Sequence, residues 1–428
     1  MNLTHRSTDD LIHLTKQNFF STSLFSFVLF AIPAFTLSTS FGLGLAECII
    51  LLGALYYAKP LWQQSLYLFN ATQFIVLAFI FNFAVAACSL LWFGFEAKFL
   101  NNPLRQLVVV TAIGLIVLTR PNAKLFWYGL FAGTASAAIL SLYQRIALDM
   151  VRAQGFHMPI TFGDIAIAMG LMSLASIQYF AKSRLAILPY LSFFAGLTAS
   201  LLSGSRGGWV ALLFSFIPLY SYGQSKVKKG ALISATLTCL LLIAAYFTPQ
   251  SNIRQRFLDI YNDIAQYQAG QVFTSIGTRL EMWKGAWKIF LDHPLFGAGR
   301  ANFHNGINQL IARGELHPSI SDFHHAHNEI LHALATQGLF GASALIFLYA
   351  APAAFFIRYL HKNDASHPYA LAGLLLVVSF IDFGLTQVLF AHHIGAAFYA
   401  TTICALSGVC IMSNHPHTTP NHAEKPDQ

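Results

Sequence analysis

The chain has 428 residues, of which 56% are hydrophobic and only 10% are charged. Soluble globular proteins carry about 25% charged residues, so this composition excludes an ordinary soluble protein. A formal net charge of +8 would suggest nucleic-acid binding in a soluble protein, but here the cations are expected to orient membrane helices and to attract an anionic substrate. We therefore predict an all-α, polytopic membrane protein with no nucleic-acid partner.

Apolar runs predict about twelve transmembrane helices, because a membrane helix needs roughly 20 mostly apolar residues. Residues 1–18 are polar, and the run that follows leads into further runs without a cleavage site, which indicates a membrane helix rather than a signal peptide. The predicted spans are 20–37, 40–58, 71–93, 106–119, 125–144, 161–181, 185–203, 207–222, 230–247, 339–357, 368–388 and 390–411.

The distribution of lysine and arginine orients these spans. With a cytoplasmic N-terminus, 13 of these cations fall on the inside and only five in the short outer loops, as the positive-inside rule requires. Both termini are then cytoplasmic, and the long segment 248–330 lies outside. The predicted organisation is spans one to nine over 1–247, an outer loop over 248–330, spans ten to twelve over 331–412 and a disordered tail over 413–428.

A buried acid stands near two outer cations before the seventh span. Asp164 lies at the start of the sixth span, where an ionised group costs about 2.5–3.5 kcal/mol and usually has a partner or a function. Arg145 and Arg152 lie in the preceding outer loop. Two interpretations stay open: a structural pairing with an arginine, or one wall of an anion-binding site.

The stretch Ser203-Gly-Ser-Arg-Gly-Gly-Trp209 places Arg206 at a membrane boundary among small residues. Glycines allow a ligand to come close to the backbone, and arginine offers a planar fork of donors that matches phosphate oxygens. The alternative is an arginine whose charged end reaches out of the membrane from a helix end.

The outer loop is too long to be a passive connector. Its middle predicts an amphipathic helix over 279–291, suited to the membrane surface, that opens with Arg279 and stops at Asp292 ahead of Pro294. Gly297 and Gly299 then predict a tight turn. The residues at helical spacing are Leu280, Trp283, Trp287 and Phe290, with Glu281 on another face.

A histidine-rich stretch, His324-His-Ala-His-Asn-Glu329, is predicted to begin the next helix at the outer membrane surface. The spacing of His325 and His327 suggests zinc, but no matching group of ligands accompanies it, so no metal is expected. A histidine is also a natural general base at neutral pH, which is the second interpretation of this stretch.

At these residues the chain resembles the O-antigen ligase family, within a superfamily that includes O-antigen polymerases and protein O-oligosaccharyltransferases. The matching stretches are SGSRGGW at 203–209, TRLEMW at 278–283, HPLFGAGRANF at 293–303 and HAHNEILHALATQGLFG at 325–341, with a weaker likeness at 157–164. The resemblance implies twelve helices with a large periplasmic loop between the ninth and the tenth.

The resemblance implies an inverting glycosyltransferase at the periplasmic face of the bacterial inner membrane, acting without a metal or other cofactor. The donor would be a glycan on undecaprenyl diphosphate, and the acceptor a sugar hydroxyl of lipid A–core. The family's essential arginines map to Arg206 and Arg279, which would stabilise the departing diphosphate, and its histidine maps to His327, which would act as general base. His325 and Asn328 join the expected substrate-binding set with Arg145, Arg152 and Asp164.

Other functions stay open at this point. A polymerase or a protein O-oligosaccharyltransferase of the same superfamily would use a similar architecture. A transporter is a further alternative, since twelve spans is a common count for transporters, but the two halves of the chain show no convincing repeat.

Overall fold

The computed structural model describes residues 19–205, 207–247, 253–362 and 364–414, and the regular structure in these ranges is helical. The first eight helices are α1 (Phe19–Thr36), α2 (Gly42–Tyr56), α3 (Ala58–Phe93), α4 (Ala97–Val108), α5 (Thr111–Thr119), α6 (Lys124–Ile146), α7 (Pro159–Leu174) and α8 (Ile177–Phe180). The remaining nine are α9 (Leu188–Ser203), α10 (Gly207–Tyr222), α11 (Ser225–Phe247), α12 (Ile253–Gln268), α13 (Ser275–Asp292), α14 (Phe303–Ala312), α15 (Glu329–Leu360), α16 (His367–Phe383) and α17 (His393–Ser413).

Among the described residues, seven helical stretches are long and apolar enough to cross a membrane. They are α1, α3, α4 with α5, α6, α11, α15 and α17. Five shorter apolar helices accompany them, namely α2, α7, α9, α10 and α16. The predicted class, an all-α polytopic membrane protein, is confirmed, whereas the number twelve stays a prediction because it depends on the five shorter helices.

The centre of the bundle is α17, whose apolar stretch is completely buried. The neighbouring helices α7 and α16 are also almost fully buried. A helix that is apolar on every side is stable only when other apolar groups surround it, as here. By contrast, only 33% of the apolar stretch of α3 and 28% of that of α11 is buried, so these helices present their side chains to lipid.

An ion pair joins three of these helices near the centre. Arg105 of α4 donates from Nε to Glu47 Oε2 of α2 at 3.0 Å, and Thr401 of α17 donates to Glu47 Oε1 at 3.3 Å. A carboxylate at this depth needs such partners because unpaired charges in the membrane are costly.

The described part of the outer loop, from Ile253 onward, has a small apolar core of its own. It is built from α13, α14 and the irregular chain that follows, and its members are Met282, Ala286, Ile289, Phe303, Ile307, Leu310, Leu316, Ile320, Ala326 and Ala335 of α15. A core of this kind gives the loop a defined shape and fixes α13 beside α15.

The loop helix α13 ends at Asp292, where the sequence predicts its end, but it begins at Ser275, four residues before Arg279. Thr274 caps it by accepting the Gly277 N–H at 3.0 Å. Its buried face also differs from the expected one. Glu281 points inward and accepts hydrogen bonds from the Tyr267 hydroxyl and the His317 N–H, both at 2.9 Å, while Trp287 is 47% exposed.

The expectation that a helix begins near His324 is wrong. The helix α15 begins at Glu329, because Asn328 is its N-cap and accepts the Leu331 N–H at 3.0 Å. His327 has a φ of 48°, a left-handed conformation that a helix does not tolerate. The histidines therefore lie on an irregular segment that leads into the helix.

A kink at Gly338 divides α15 into two parts, with a φ of 61° at the glycine. The predicted turn of Gly297 and Gly299 packs against α15 at the kink. The Leu339 N–H donates to the Pro294 carbonyl at 2.8 Å, and the Gly299 N–H donates to a carbonyl of α15 at 3.0 Å. A Cβ at Gly338 would lie 2.3 Å from a backbone oxygen of this turn, so the close approach requires glycine. The turn and the helix are thereby fixed to each other.

Candidate active site

The predicted base, His327, sits where the irregular segment meets α15. Its ring lies 4.2 Å from that of His325 and 5.9 Å from that of Phe323, centroid to centroid. Its Nδ1 is buried without a hydrogen-bond partner among the described residues. The side chain of Gln387 forms a hydrogen bond with the imidazole ring. A non-glycine residue in a left-handed conformation is uncommon and is often found at functional sites.

Both neighbouring rings are neutral at physiological pH. Burial, and then the positive charge of Arg279, lower the pKa of His327 from 6.5 to about 4. Burial and the surrounding histidines place the pKa of His325 still further below its ordinary value. A neutral imidazole has a free lone pair, so His327 can accept a proton from a hydroxyl.

Arg279 lies in the second turn of α13, and its charge acts on two other predicted site residues. It lowers the pKa of His327, and it interacts electrostatically with the carboxyl group of Asp164 on α7. The structure thus brings Arg279, His327 and Asp164 into one neighbourhood, although they are far apart in the sequence. A cation beside a neutral base is suited to an anionic leaving group.

Asp164 holds the turn between α9 and α10. It is fully buried and accepts a hydrogen bond from the Ser205 hydroxyl. Arg152 donates from Nε to the Ser203 carbonyl at 2.7 Å, so it fixes the other side of the same turn. Arg206 lies outside the described residues, but these contacts hold Ser203 and Ser205, which come shortly before it.

The turn after α16 connects this region to His327. A Cβ at Gly207 would lie 2.1 Å from the Thr386 hydroxyl, so glycine allows the start of α10 to come against the turn. The side chain of Gln387, in the same turn, forms a hydrogen bond with His327. Asn328 Nδ2 also donates to the Leu385 carbonyl at 3.2 Å. Asn328 therefore caps α15 and also joins its start to the turn after α16, a role that the sequence alone did not predict.

Within the described ranges, no contact of Arg145 brings it to this neighbourhood. Its side chain donates a hydrogen bond to the Met150 carbonyl, five residues further along the chain. This contact stabilises the segment that follows α6. Its expected place in a substrate-binding wall stays a prediction.

Sequence reasoning missed a second group of residues, which lines a cavity of about 430 Å³ on the other side of His325. Arg300, Glu329, His332 and His392 belong to it. Arg300 could have been noticed within HPLFGAGRANF, and His392 as a polar break between two apolar runs. Nothing in the sequence showed that they face one cavity.

Within the described ranges, no three side chains of histidine, cysteine, aspartate or glutamate are arranged to hold a metal ion. The imidazole rings of this region contact one another instead; for example, the ring centroids of His325 and His392 lie 5.8 Å apart.

Comparisons with known proteins coincide with this region. The model of the O-antigen ligase family matches residues 191–346, which include α13, the histidine segment and the Gly338 kink. An O-antigen ligase of Escherichia coli K12 is 28% identical over 170 residues, which cover 39% of this chain and 38% of that protein. An uncharacterized protein of Haemophilus influenzae Rd is 25% identical over 393 residues, or 90% of this chain and 96% of that protein. The predicted resemblance to the O-antigen ligase family is confirmed over residues 191–346, and the match falls on the part of the chain that holds the candidate site.

Proposed function

We propose that this protein transfers a glycan from undecaprenyl diphosphate to a sugar hydroxyl of lipid A–core, with inversion and at the periplasmic face. The observation that carries the proposal is the juxtaposition of a neutral His327 with the cation of Arg279, at the edge of a membrane bundle. The family match supports O-antigen ligase chemistry in general, and the substrates and the residue roles are our proposal.

In the proposed reaction, the acceptor oxygen attacks the anomeric carbon of the donor sugar. The bond between that carbon and the diphosphate oxygen breaks, and its electron pair leaves with undecaprenyl diphosphate. The acceptor proton passes to the ring of His327. Direct displacement from the opposite side inverts the anomeric centre.

The leaving group gains negative charge as it departs, and Arg279 is placed to stabilise it. Charge-assisted hydrogen bonds of this kind contribute about 1.5–3 kcal/mol each. Arg206 would add a second guanidinium, since the turn that carries it is held by Asp164 and abuts the turn of Gln387. The arginine pair would then perform the task that a divalent cation performs in many glycosyltransferases.

The membrane bundle supports the choice of substrates. Both proposed substrates are anchored in lipid, and lipid-facing helices such as α3 and α11 surround the bundle that carries the site. We propose that residues 248–330 face the periplasm and that both termini face the cytoplasm, as the cation distribution favours.

The test is a transfer assay with purified protein, undecaprenyl-diphosphate-linked glycan and lipid A–core in EDTA, read by gel electrophoresis. His327→Ala should reduce transfer by about 10²–10⁴-fold, as expected when a general base is removed. His293→Ala is the matched control, because His293 is an exposed histidine of the same loop, and it should leave transfer unchanged.

Each outcome has a distinct meaning. Transfer by both the wild type and His327→Ala would keep the reaction and remove His327 as its base. Longer glycans on the carrier lipid, without transfer to lipid A–core, would make the protein an O-antigen polymerase. Activity that requires added Mg²⁺ would contradict the proposed role of the arginines.

A further inference from the structure

The cavity beside His325 is separate from the neighbourhood of Arg279. The outer ends of α3 and α4 form one side, and the start of α15 with the 388–392 turn forms the other. At about 430 Å³, its volume is in the range of small-ligand pockets. His325 stands between the two regions, since it lines the cavity and its ring contacts that of His327.

Arg300 is the principal charge in the wall of this cavity. Its backbone N–H donates to Ser89 Oγ of α3 at 3.0 Å, which fixes its position. Its side chain donates from Nη1 to Gln337 Oε1 at 2.9 Å. A guanidinium has five N–H donors, so most of its hydrogen-bonding capacity remains unused by these contacts.

The carboxylate of Glu329 acts electrostatically on Arg300 but does not contact it directly. Glu329 and Arg300 are both described, and they form no ion pair. Glu329 Oε2 instead accepts the Phe390 N–H at 3.2 Å. Burial lowers the pKa of Arg300 to about 10, so the guanidinium is still charged at neutral pH. An enclosed cation without a direct counter-charge favours an anionic ligand.

Other polar groups of the cavity also lack partners. Among the described residues, His325 Nδ1, His332 Nδ1 and His392 Nε2 are buried ring nitrogens without a hydrogen bond. These three histidines line the cavity, so its wall suits a ligand with several hydroxyl groups better than a purely apolar ligand. At the edge of the cavity, the side chain of Lys98 is 71% exposed and pairs with Glu96 at 2.7 Å, so it adds a weaker, screened cation.

We propose that this cavity binds an anionic saccharide of the acceptor, one that carries a phosphate or a carboxylate, with Arg300 holding the anionic group. The inference rests on the proposed transfer reaction and adds to it where the acceptor binds. The donor diphosphate then lies on the Arg279 side and the acceptor on the Arg300 side. His327 lies between them, where it can take the proton from the acceptor hydroxyl.

The experiment measures transfer with three acceptors: native lipid A–core, the same material dephosphorylated with hydrofluoric acid, and the same material with its carboxyl groups reduced. For the wild type, kcat/KM for the acceptor should fall about tenfold or more on one of the treated acceptors. Arg300→Lys keeps the positive charge but loses the paired N–H donors of the guanidinium. It should therefore lower kcat/KM by a similar factor for the native acceptor and for the treated acceptor that keeps the bound anionic group, but not for the acceptor that has lost it. The KM of the donor should not change.

Lys98→Glu is the second variant, because an exposed residue can be changed without disturbing the fold. It should weaken use of the native acceptor in the same direction as Arg300→Lys, by a smaller factor. Arg313→Glu is its matched control, since Arg313 is an exposed cation of the outer loop that does not line the cavity, and it should have no effect.

Equal kcat/KM of the wild type for all three acceptors would overturn the proposal. A rise in the donor KM of Arg300→Lys, with unchanged acceptor dependence, would overturn it in favour of a donor site in this cavity. No effect of Lys98→Glu, with Arg300→Lys unable to fold, would overturn the anionic interpretation of the cavity. Absence of transfer by the wild type to any acceptor would instead overturn the proposed function itself.

Discussion

The low pKa of His327 makes the acid limb of the pH–activity profile informative. Burial and the charge of Arg279 favour the neutral ring, so protonation requires a lower pH than for an ordinary histidine. If the neutral ring is the base, kcat/KM should be constant at neutral pH and should fall only as the pH passes through about 4.

A His327 with the lowered pKa and a histidine with the ordinary pKa differ most clearly at pH 5.5. With the pKa at about 4, about 97% of the enzyme has a neutral His327 at this pH, whereas an ordinary pKa of 6.5 would leave about 9%. The wild type should therefore retain nearly all of its kcat/KM at pH 5.5, a value about tenfold above that expected for an unperturbed histidine.

The contribution of Arg279 can be isolated with two variants. Arg279→Gln removes the charge that lowers the pKa, so its acid limb should move to higher pH, whereas Arg279→Lys should keep the wild-type limb. Both variants will be slower, and the position of the limb is the quantity to compare. Ionisation of the donor diphosphate affects both variants equally, so a difference between them reports on His327.

The measurement is kcat/KM at limiting donor from pH 4 to pH 8, in buffers of constant ionic strength. An acid limb of the wild type near pH 6.5 would refute the inferred environment of His327. Identical limbs in Arg279→Gln and Arg279→Lys would show that Arg279 does not act on this ring.

Three further predictions concern the contacts that shape the site. Glu47→Ala should lower the thermal unfolding temperature in detergent by several degrees, since a half-buried Arg105 left unpaired costs about 3 kcal/mol, and Glu47→Gln should do less harm. Gly338→Ala should reduce both stability and transfer, because its Cβ would lie 2.3 Å from the Leu295 oxygen; wild-type transfer would contradict this. Asn328→Ala should cost about 1 kcal/mol through the lost helix cap and slow transfer, while Asn328→Asp should restore the cap but not the hydrogen bond to Leu385, so it should recover only part of the stability.

The sequence was sufficient for features that depend on local patterns. The apolar runs predicted an all-helical membrane protein, because the length of a run decides whether it can span a bilayer. The end of the loop helix at Asp292 was predicted from Pro294, whose effect on the preceding residue is also local. The left-handed glycine turn at 297–299 follows from the same kind of reasoning.

Features that depend on contacts between distant segments were not predicted. The inward position of Glu281 depends on Tyr267 and His317, which come from outside its helix. The cap at Asn328 displaces the start of α15 from the histidines, although their spacing alone is compatible with a helix. The cavity of Arg300 is lined in part by residues of α3 and α4, which come some 200 residues earlier in the chain.

The junction between the 294–299 turn and the kinked helix consists of backbone hydrogen bonds. Side-chain substitutions at positions other than Gly297 and Gly338 therefore leave these bonds available, whereas a change in length does not. One residue inserted into the turn would move every later N–H and C=O out of register with α15. A loop transplanted from a relative would have to keep these two glycines and the spacing between this turn and Gly338. Apart from these glycines, the length of the connection determines where the functional groups of residues 253–330 lie relative to α15.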